Sequence, residues 1–370
     1  MAHFRIAADS SCDLLTLAGA DFVSVPLTIR TEKEEFRDDA SLDVDMMVSA
    51  LRDTKGRSYS ACPNVADWEN AFGESGDVIA FTITSGLSGS YNSACAAQKS
   101  CLERDPSRRI HVVDSLSAGP EIALLIEKAL SEQRAGAGFD EVCEALNTYK
   151  SRTHLLFALE SMHNLAQNGR ISKLAATMAG VLGIRAIGRA SDEGTLEMLG
   201  KCRGVQRARQ FMLNEMEQLG CKGGSVRIGH CQNEALALAL CDDIRRRFPG
   251  ADVKCYPLRG LCSYYAERGI FIFFLDQSAF STPSAFFSAA FMRLYISCIC
   301  RSISAILPEH SSISSFIPSG SFALSTLYLM SCSKLAQKSM AMVRICISAV
   351  TYSVLSERYT GMRISRCSER

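Results

Sequence analysis

The chain has 370 residues, of which 47% are apolar and 21% charged, with a formal net charge of +1. That length is enough for two packed domains with an appendage, and the composition is that of an ordinary globular protein. A chain so near neutrality, without a domain-sized basic stripe, is not expected to bind nucleic acid.

In chain order, Phe4–Ala8 reads as a short apolar strand that ends at Asp9-Ser10-Ser11. Phe22–Ile29 reads as a second strand, broken by Pro26, Val78–Thr84 as a third and Ile110–Val113 as a fourth. Helical patterns lie between and after them at Val44–Arg52, Val65–Phe72, Ser90–Glu103 and Pro120–Gln133. Short apolar strands alternating with helices predict βαβ units and a parallel sheet, whose ligands sit at the carboxyl ends of its strands. Three such ends are rich in small polar residues: Asp9-Ser10-Ser11, Thr84-Ser85-Gly86 and Asp114-Ser115.

From about residue 151 the pattern changes. Leu155–Leu159 reads as a strand, Met162–Asn168 as a short helix, and Gly183–Gly188 with Thr195–Leu199 as a hairpin. A helix is expected over Val205–Leu219, then a strand at Val226–His230, a helix at Glu234–Phe248 and a strand at Asp252–Tyr256. This is an α+β unit with a mixed sheet.

Residues 277–370 differ in kind. About a quarter of them are serine, the acidic residues are Glu309, Glu357 and Glu369, and apolar clusters such as Phe286-Phe287 lack helical or strand periodicity. Apolar stretches here are broken by Asp276, Arg293 and Arg301, and none reaches the roughly 18 charge-free residues of a membrane span, so no stable membrane insertion is expected. The N-terminus lacks a basic region followed by an apolar run, so no secretory signal is expected.

The sixteen cysteines are scattered through apolar segments, with no Cys-x-x-Cys pair. They read as reduced packing residues, which places the chain in the cytoplasm and predicts neither a disulfide framework nor a metal site.

The most informative segment is Thr84-Ser85-Gly86-Leu87-Ser88-Gly89-Ser90-Tyr91-Asn92, which follows a strand and opens a helix. Backbone N–H groups and the helix dipole at such a junction suit a carboxylate or a phosphate. Gly86 and Gly89 permit close approach, and Ser88 and Ser90 add hydroxyls; the alternative is a plain helix cap. The second polar segment, Ser58-Tyr59-Ser60-Ala61-Cys62-Pro63-Asn64, is weaker by itself. A serine-dependent hydrolase or transferase using Ser88 is a competing reading. Gly86-x-Ser88-x-Ser90 misses the nucleophile-elbow pattern at its last residue, and the six histidines mostly sit in or beside expected strands. No catalytic residue and no cofactor is assigned.

Taken in order, these segments resemble the DegV family. Ile6-Ala7-Ala8-Asp9-Ser10-Ser11 resembles its Asp-Ser-Ser strand end, Ser60-Ala61-Cys62-Pro63 its Thr-Ser-x-Pro element, and Thr84–Ala94 its Leu-Ser-Gly-Thr helix start. Val25-Pro26-Leu27, Val113-Asp114-Ser115, Leu159-Glu160-Ser161-Met162 and Gly169-Arg170-Ile171-Ser172 resemble further landmarks. The resemblance implies an α/β, two-domain fold: an N-terminal parallel-sheet domain over 1–150, a C-terminal α+β domain with a mixed sheet over 151–276, and an atypical tail over 277–370. It implies a long-chain fatty acid held between the domains, its carboxylate at Ser60 and Ser88, with Gly89, Ser90 and Asn92 counted to the same site. FakB-type members of the family are non-catalytic subunits that present the carboxylate to a fatty acid kinase. On that analogy Arg170 and Arg203 are expected to contact the kinase. The resemblance is read as failing after Ala266-Glu267-Arg268-Gly269, which suggests a change of reading frame near Gly269; a lineage-specific extension is the alternative.

Overall fold

A computed structural model describes residues 4–54, 56–172 and 183–275. They lie in one unit that spans residues 1–284. The tail expected over 277–370 falls outside the described residues.

The N-terminal sheet is parallel, in the order β2 (Phe22–Val25), β1 (Phe4–Asp9), β6 (Asp77–Thr82), β7 (Ile110–Asp114). Its strands are apolar on both faces, as a sheet covered on both sides requires. Ala7, Val78 and Ala80 pack with Trp68, Phe72 and Ala97 of α2 (Val65–Phe72) and α3 (Ser90–Arg104). Ile6, Ile79 and Phe81 pack on the opposite face with Ile122, Ile126 and Val142 of α4 (Pro120–Arg134) and α5 (Phe139–Lys150).

The stretch expected as one strand over Phe22–Ile29 divides at Pro26. The ring of Pro26 has no N–H for the ladder, and the next N–H, that of Leu27, donates to Ser10 Oγ at 3.0 Å. The chain then enters a second, antiparallel sheet of β4 (Glu35–Arg37), β3 (Thr28–Arg30) and β5 (Tyr59–Ala61). Helix α1 (Val44–Asp53) joins β4 to β5.

The C-terminal sheet is mixed and six-stranded, in the order β10 (Leu196–Arg203), β9 (Ile184–Ala190), β8 (Thr153–Leu159), β13 (Gly269–Leu275), β11 (Gly224–His230), β12 (Ala251–Pro257). Only β11 and β12 pair in parallel. On one face Leu156, Ile270 and Ile272 pack against α7 (Val205–Gln218) and α8 (Glu234–Arg247). On the other, Leu155, Phe157, Phe271 and Phe273 meet Ile29, Met47 and Leu124 from the N-terminal part, together with α6 (His163–Gln167) and α9 (Gly260–Ala266). The period-2 alternation of β8 and β13 therefore divides their side chains between an outer core and the seam that faces the parallel sheet.

Candidate functional site

The seam holds an apolar cavity. Its walls come from Leu27, Ile83 and Ala118 on the N-terminal side and from Leu155, Leu165, Leu196, Leu261 and Phe271 on the other, and Ser60, Ser88, Arg170 and Tyr265 add polar groups.

Asp9 builds the N-terminal side. It is fully buried at the end of β1 and accepts hydrogen bonds from the Ile83 N–H at 2.8 Å, the Ser90 hydroxyl at 2.7 Å and the Ser11 hydroxyl. Burial pushes its carboxyl up to about 6, against the pull of these donors. The carboxylate draws Ile83 out of the β6 ladder, so the strand ends at Thr82, earlier than the apolar run suggests, and it anchors the start of α3. A turn follows, in which the N–H groups of Leu87 and Ser88 each donate to the Thr84 carbonyl oxygen at 3.2 Å.

Two further aspartates position the opposite wall. Asp38 accepts from the N–H groups of Gly260 and Leu261 at 3.0 and 2.9 Å, and Asp13 from the Arg259 N–H at 2.8 Å. These bonds satisfy orphan donors at the start of α9, the helix that carries Leu261, Cys262 and Tyr265 to the cavity. Tyr265 Oη then meets Ser60 Oγ at 2.8 Å. Burial raises the Tyr265 phenol, so the hydroxyl stays protonated. The tip of the β9–β10 hairpin closes another side. Gly194, at φ +74°, packs so tightly that a Cβ there would fall 2.1 Å from Thr84 Oγ1, and Leu196 follows it into the wall.

Of the residues singled out in the sequence, the structure brings Ser60, Ser88 and Arg170 together at the cavity. Ser88 Oγ accepts from the Ser90 N–H at 3.3 Å. Ser90 does not reach the cavity: its hydroxyl is buried and committed to Asp9. Gly89 and Asn92 are exposed and do not line the cavity; Gly89 packs beside Cys62, whose Sγ lies 3.3 Å from where a Cβ would stand. Arg170, expected at a partner surface, turns inward, because its Nε donates to the Leu87 carbonyl oxygen at 3.0 Å. Arg203 is exposed at the end of β10 and does not line the cavity. Tyr265 was not anticipated. Its partner Ser60 is 205 residues distant, and Ser263-Tyr264-Tyr265 carries no motif.

Among the described residues, no histidine or carboxylate lines the cavity. Nor, among them, is any group of three His, Cys, Asp or Glu placed to hold a metal ion, or any helix long and apolar enough to cross a membrane.

Comparison with known proteins places this site in context. The chain is 45% identical over 270 residues to a DegV domain-containing protein of Streptococcus pneumoniae, covering 72% of this chain and 96% of the relative. Among solved structures it is similar to a DegV family protein from Eubacterium eligens loaded with heptadecanoic acid, at 45% identity and a TM-score of 0.73, covering 74% of this chain and 100% of that one. It is also similar to the fatty acid kinase B3 protein of Streptococcus pneumoniae loaded with linoleic acid, at 44% identity and a TM-score of 0.72, covering 74% and 99%. The family match covers residues 3–276, through β13 and past Gly269, where the sequence reading puts the departure. The chain belongs to the DegV family, described as a family of uncharacterised proteins.

Proposed function

We propose that this chain binds one long-chain fatty acid in the seam cavity and presents its carboxylate to a fatty acid kinase, without itself being an enzyme. The observation that carries the reading is the lining: apolar walls with three hydroxyls and one guanidinium, and no base beside Ser88 among the described residues. An acyl chain supplies the affinity, since burying about 14 methylenes is worth about 11 kcal/mol gross at about 0.8 kcal/mol each, from which association and ordering subtract several. Ser60, Ser88, Tyr265 and Arg170 then orient the head group and offset its desolvation by charge-assisted hydrogen bonds. The two similar structures that carry heptadecanoic and linoleic acid support this ligand class.

In this reading residues 1–150 and 151–276 act as two domains that close on the ligand. Gly89, Ser90 and Asn92 belong to the scaffold of the α3 start rather than to the contact set. Arg203 remains a candidate kinase contact, because an exposed guanidinium can pair with a partner's carboxylate. Thiols rather than disulfides at the cysteines of the described residues fit a reducing, cytoplasmic setting. A hydrolase using Ser88 would need a base within hydrogen-bond reach.

Mass spectrometry of the natively purified chain tests the reading. A bound fatty acid, released on denaturation, is expected; a ligand-free protein that also takes up no added fatty acid would overturn it, and a covalent adduct of a serine-directed probe on Ser88 would favour the hydrolase.

A further inference from the structure

A second cavity is lined by Asn164 and Tyr264, the chain neighbours of Leu165 and Tyr265 on α6 and α9. It lies at one end of the C-terminal sheet, where β8 and β11 finish and β13 begins: Gly269 pairs with Leu159, and Ile270 with His230. The segments at that end bring Glu160, Glu267 and Arg268 to it, and α1 adds Arg52 beside an apolar surface of Val48 and Leu51.

Among the described residues the two cations have no carboxylate partner. Arg52 Nη2 donates to the Gln232 side-chain oxygen at 2.7 Å, a neutral group, and the Arg268 side chain has no partner among them. Both cations, and Asp45, stand within electrostatic reach of the Cys231 thiol. Asp45 accepts from Gln232 Nε2 at 3.3 Å, so Gln232 stands between it and Arg52. The acidic side differs. Glu160 is paired with Arg185. Glu267 Oε1 accepts from a neutral group, the Asn164 N–H at 2.9 Å. That bond holds a residue at φ +52°, a left-handed conformation that non-glycine residues rarely adopt and that clusters at ligand clamps. Thr54, also in the lining, spends its hydroxyl hydrogen on the Ala50 carbonyl oxygen at 2.8 Å, so toward the cavity it can only accept.

Guanidiniums that can only donate thus share one cavity with a carboxylate and a hydroxyl that can only accept, beside an apolar surface. We infer that this second cavity binds a small zwitterion, an α-amino acid with an aliphatic side chain. Its carboxylate pairs with Arg52 and Arg268, its ammonium with Glu267 and Thr54, and its side chain covers Val48 and Leu51. A plain anion would face the Glu267 carboxylate, and a plain cation would face two guanidiniums; a ligand of both signs meets neither penalty and gains charge-assisted hydrogen bonds at both ends. The inference does not depend on the fatty-acid reading of the seam cavity.

Titration calorimetry of the full chain with leucine tests it, beside N-acetylleucine, which lacks the ammonium, and leucinamide, which lacks the carboxylate. Leucine should bind, and each blocked form should bind about tenfold more weakly or worse, the scale of one lost charge-assisted hydrogen bond. Arg268→Gln should weaken leucine about tenfold and leave leucinamide unchanged, because leucinamide has no carboxylate to lose. Glu267→Gln should weaken leucine and leave N-acetylleucine unchanged, for the matching reason at the ammonium. The wild-type series decides the matter even if neither variant folds: leucine that fails to bind at millimolar concentration overturns the inference. N-acetylleucine or leucinamide binding as tightly as leucine overturns it too, since one charge would then suffice. Leucine binding that both folded variants retain in full would place the ligand elsewhere and equally end the proposal.

Discussion

The hydroxyls of Ser60 and Tyr265 lie 2.8 Å apart across 205 residues of sequence. The bond ends a chain of constraints that begins at Asp38, which holds the first N–H groups of α9. One turn further along, that helix presents Tyr265 to β5. The polar end of the cavity is thus assembled from both halves of the chain, and neither half carries it alone.

Tyr265→Phe and Ser60→Ala should each weaken fatty-acid binding, and the double variant should lose less than the sum of the two. The shared hydroxyl pair sets a coupling of about 1 kcal/mol, the usual net value of one hydrogen bond. Titration of the four proteins of the cycle with one fatty acid measures it. Strict additivity would mean that the pair does not act together on the head group.

Ser88→Ala should weaken binding by about 1.5–3 kcal/mol, the range for a hydrogen bond to a charged group, without unfolding the protein. Ser88 is only partly buried, and its bond to the Ser90 N–H is long at 3.3 Å. By contrast, Ser90→Ala strips a donor from buried Asp9 and should lower thermal stability more than affinity. Melting curves beside titrations of the two variants separate the roles, and the opposite ranking would return Ser90 to the ligand.

The parallel sheet was legible because its strands are short apolar runs of the kind a doubly covered sheet needs, as in Ile6-Ala7-Ala8. The small sheet was not legible as a sheet, although Thr28 and Ile29 fall in the strand expected over Phe22–Ile29 and Glu35-Phe36-Arg37-Asp38 resembles a strand and turn of the family. Its strands β3, β4 and β5 are three residues each, too short to show a period. Helix α5 also went unseen, although its capping glutamate, Glu141, reaches back to the Gly138 N–H at 2.7 Å. At the site, the serines of Thr84–Asn92 pointed to the right turn, but sequence spacing alone does not say which hydroxyl faces inward. A buried acceptor, Asp9, decides that for Ser90. Arg170 read as a surface turn residue because its acceptor, the Leu87 carbonyl oxygen, belongs to the other half of the chain.

Glu121 provides a test of pH dependence away from the ligand. Its side chain is 3% exposed, Oε2 has no hydrogen-bond partner among the described residues, and burial pushes the carboxyl up to about 7 from 4.5. The folded state therefore holds this proton more tightly than the unfolded state. Stability from this group is complete below the unfolded value and is lost as pH rises toward about 7. Glu121→Gln cannot ionise, so at pH 8 it should be more stable than the wild type by up to about 3 kcal/mol, at about 1.36 kcal/mol for each pH unit between the unfolded and folded values, with little gain near pH 4. Denaturant melts at the two pH values check this, and an equal gain at both would show that ionisation of Glu121 is not the cause.

The last prediction concerns where the chain can be cut. Strand β13 pairs with β8 on one side and β11 on the other, so it lies inside the six-stranded sheet. Ile270, Ile272 and Phe274 enter one core, while Phe271 and Phe273 face the seam and line the cavity. Truncation after Arg268 removes all five. Each buried Phe or Ile lost contributes about 2–5 kcal/mol by analogy with large-to-small core changes, so the five together cost about 10–25 kcal/mol, enough to match or exceed a domain's net stability of about 5–15 kcal/mol. That protein should be insoluble and free of lipid. Truncation after Asp276 keeps the whole strand and every residue of the family match, so it should stay soluble and bind fatty acid as the full chain does. Expressing the three proteins side by side, and measuring soluble yield and bound lipid, decides the point. A protein cut after Asp276 that fails beside a healthy full-length chain would show that residues 277–370 are needed for the fold and would remove the case for a change of reading frame.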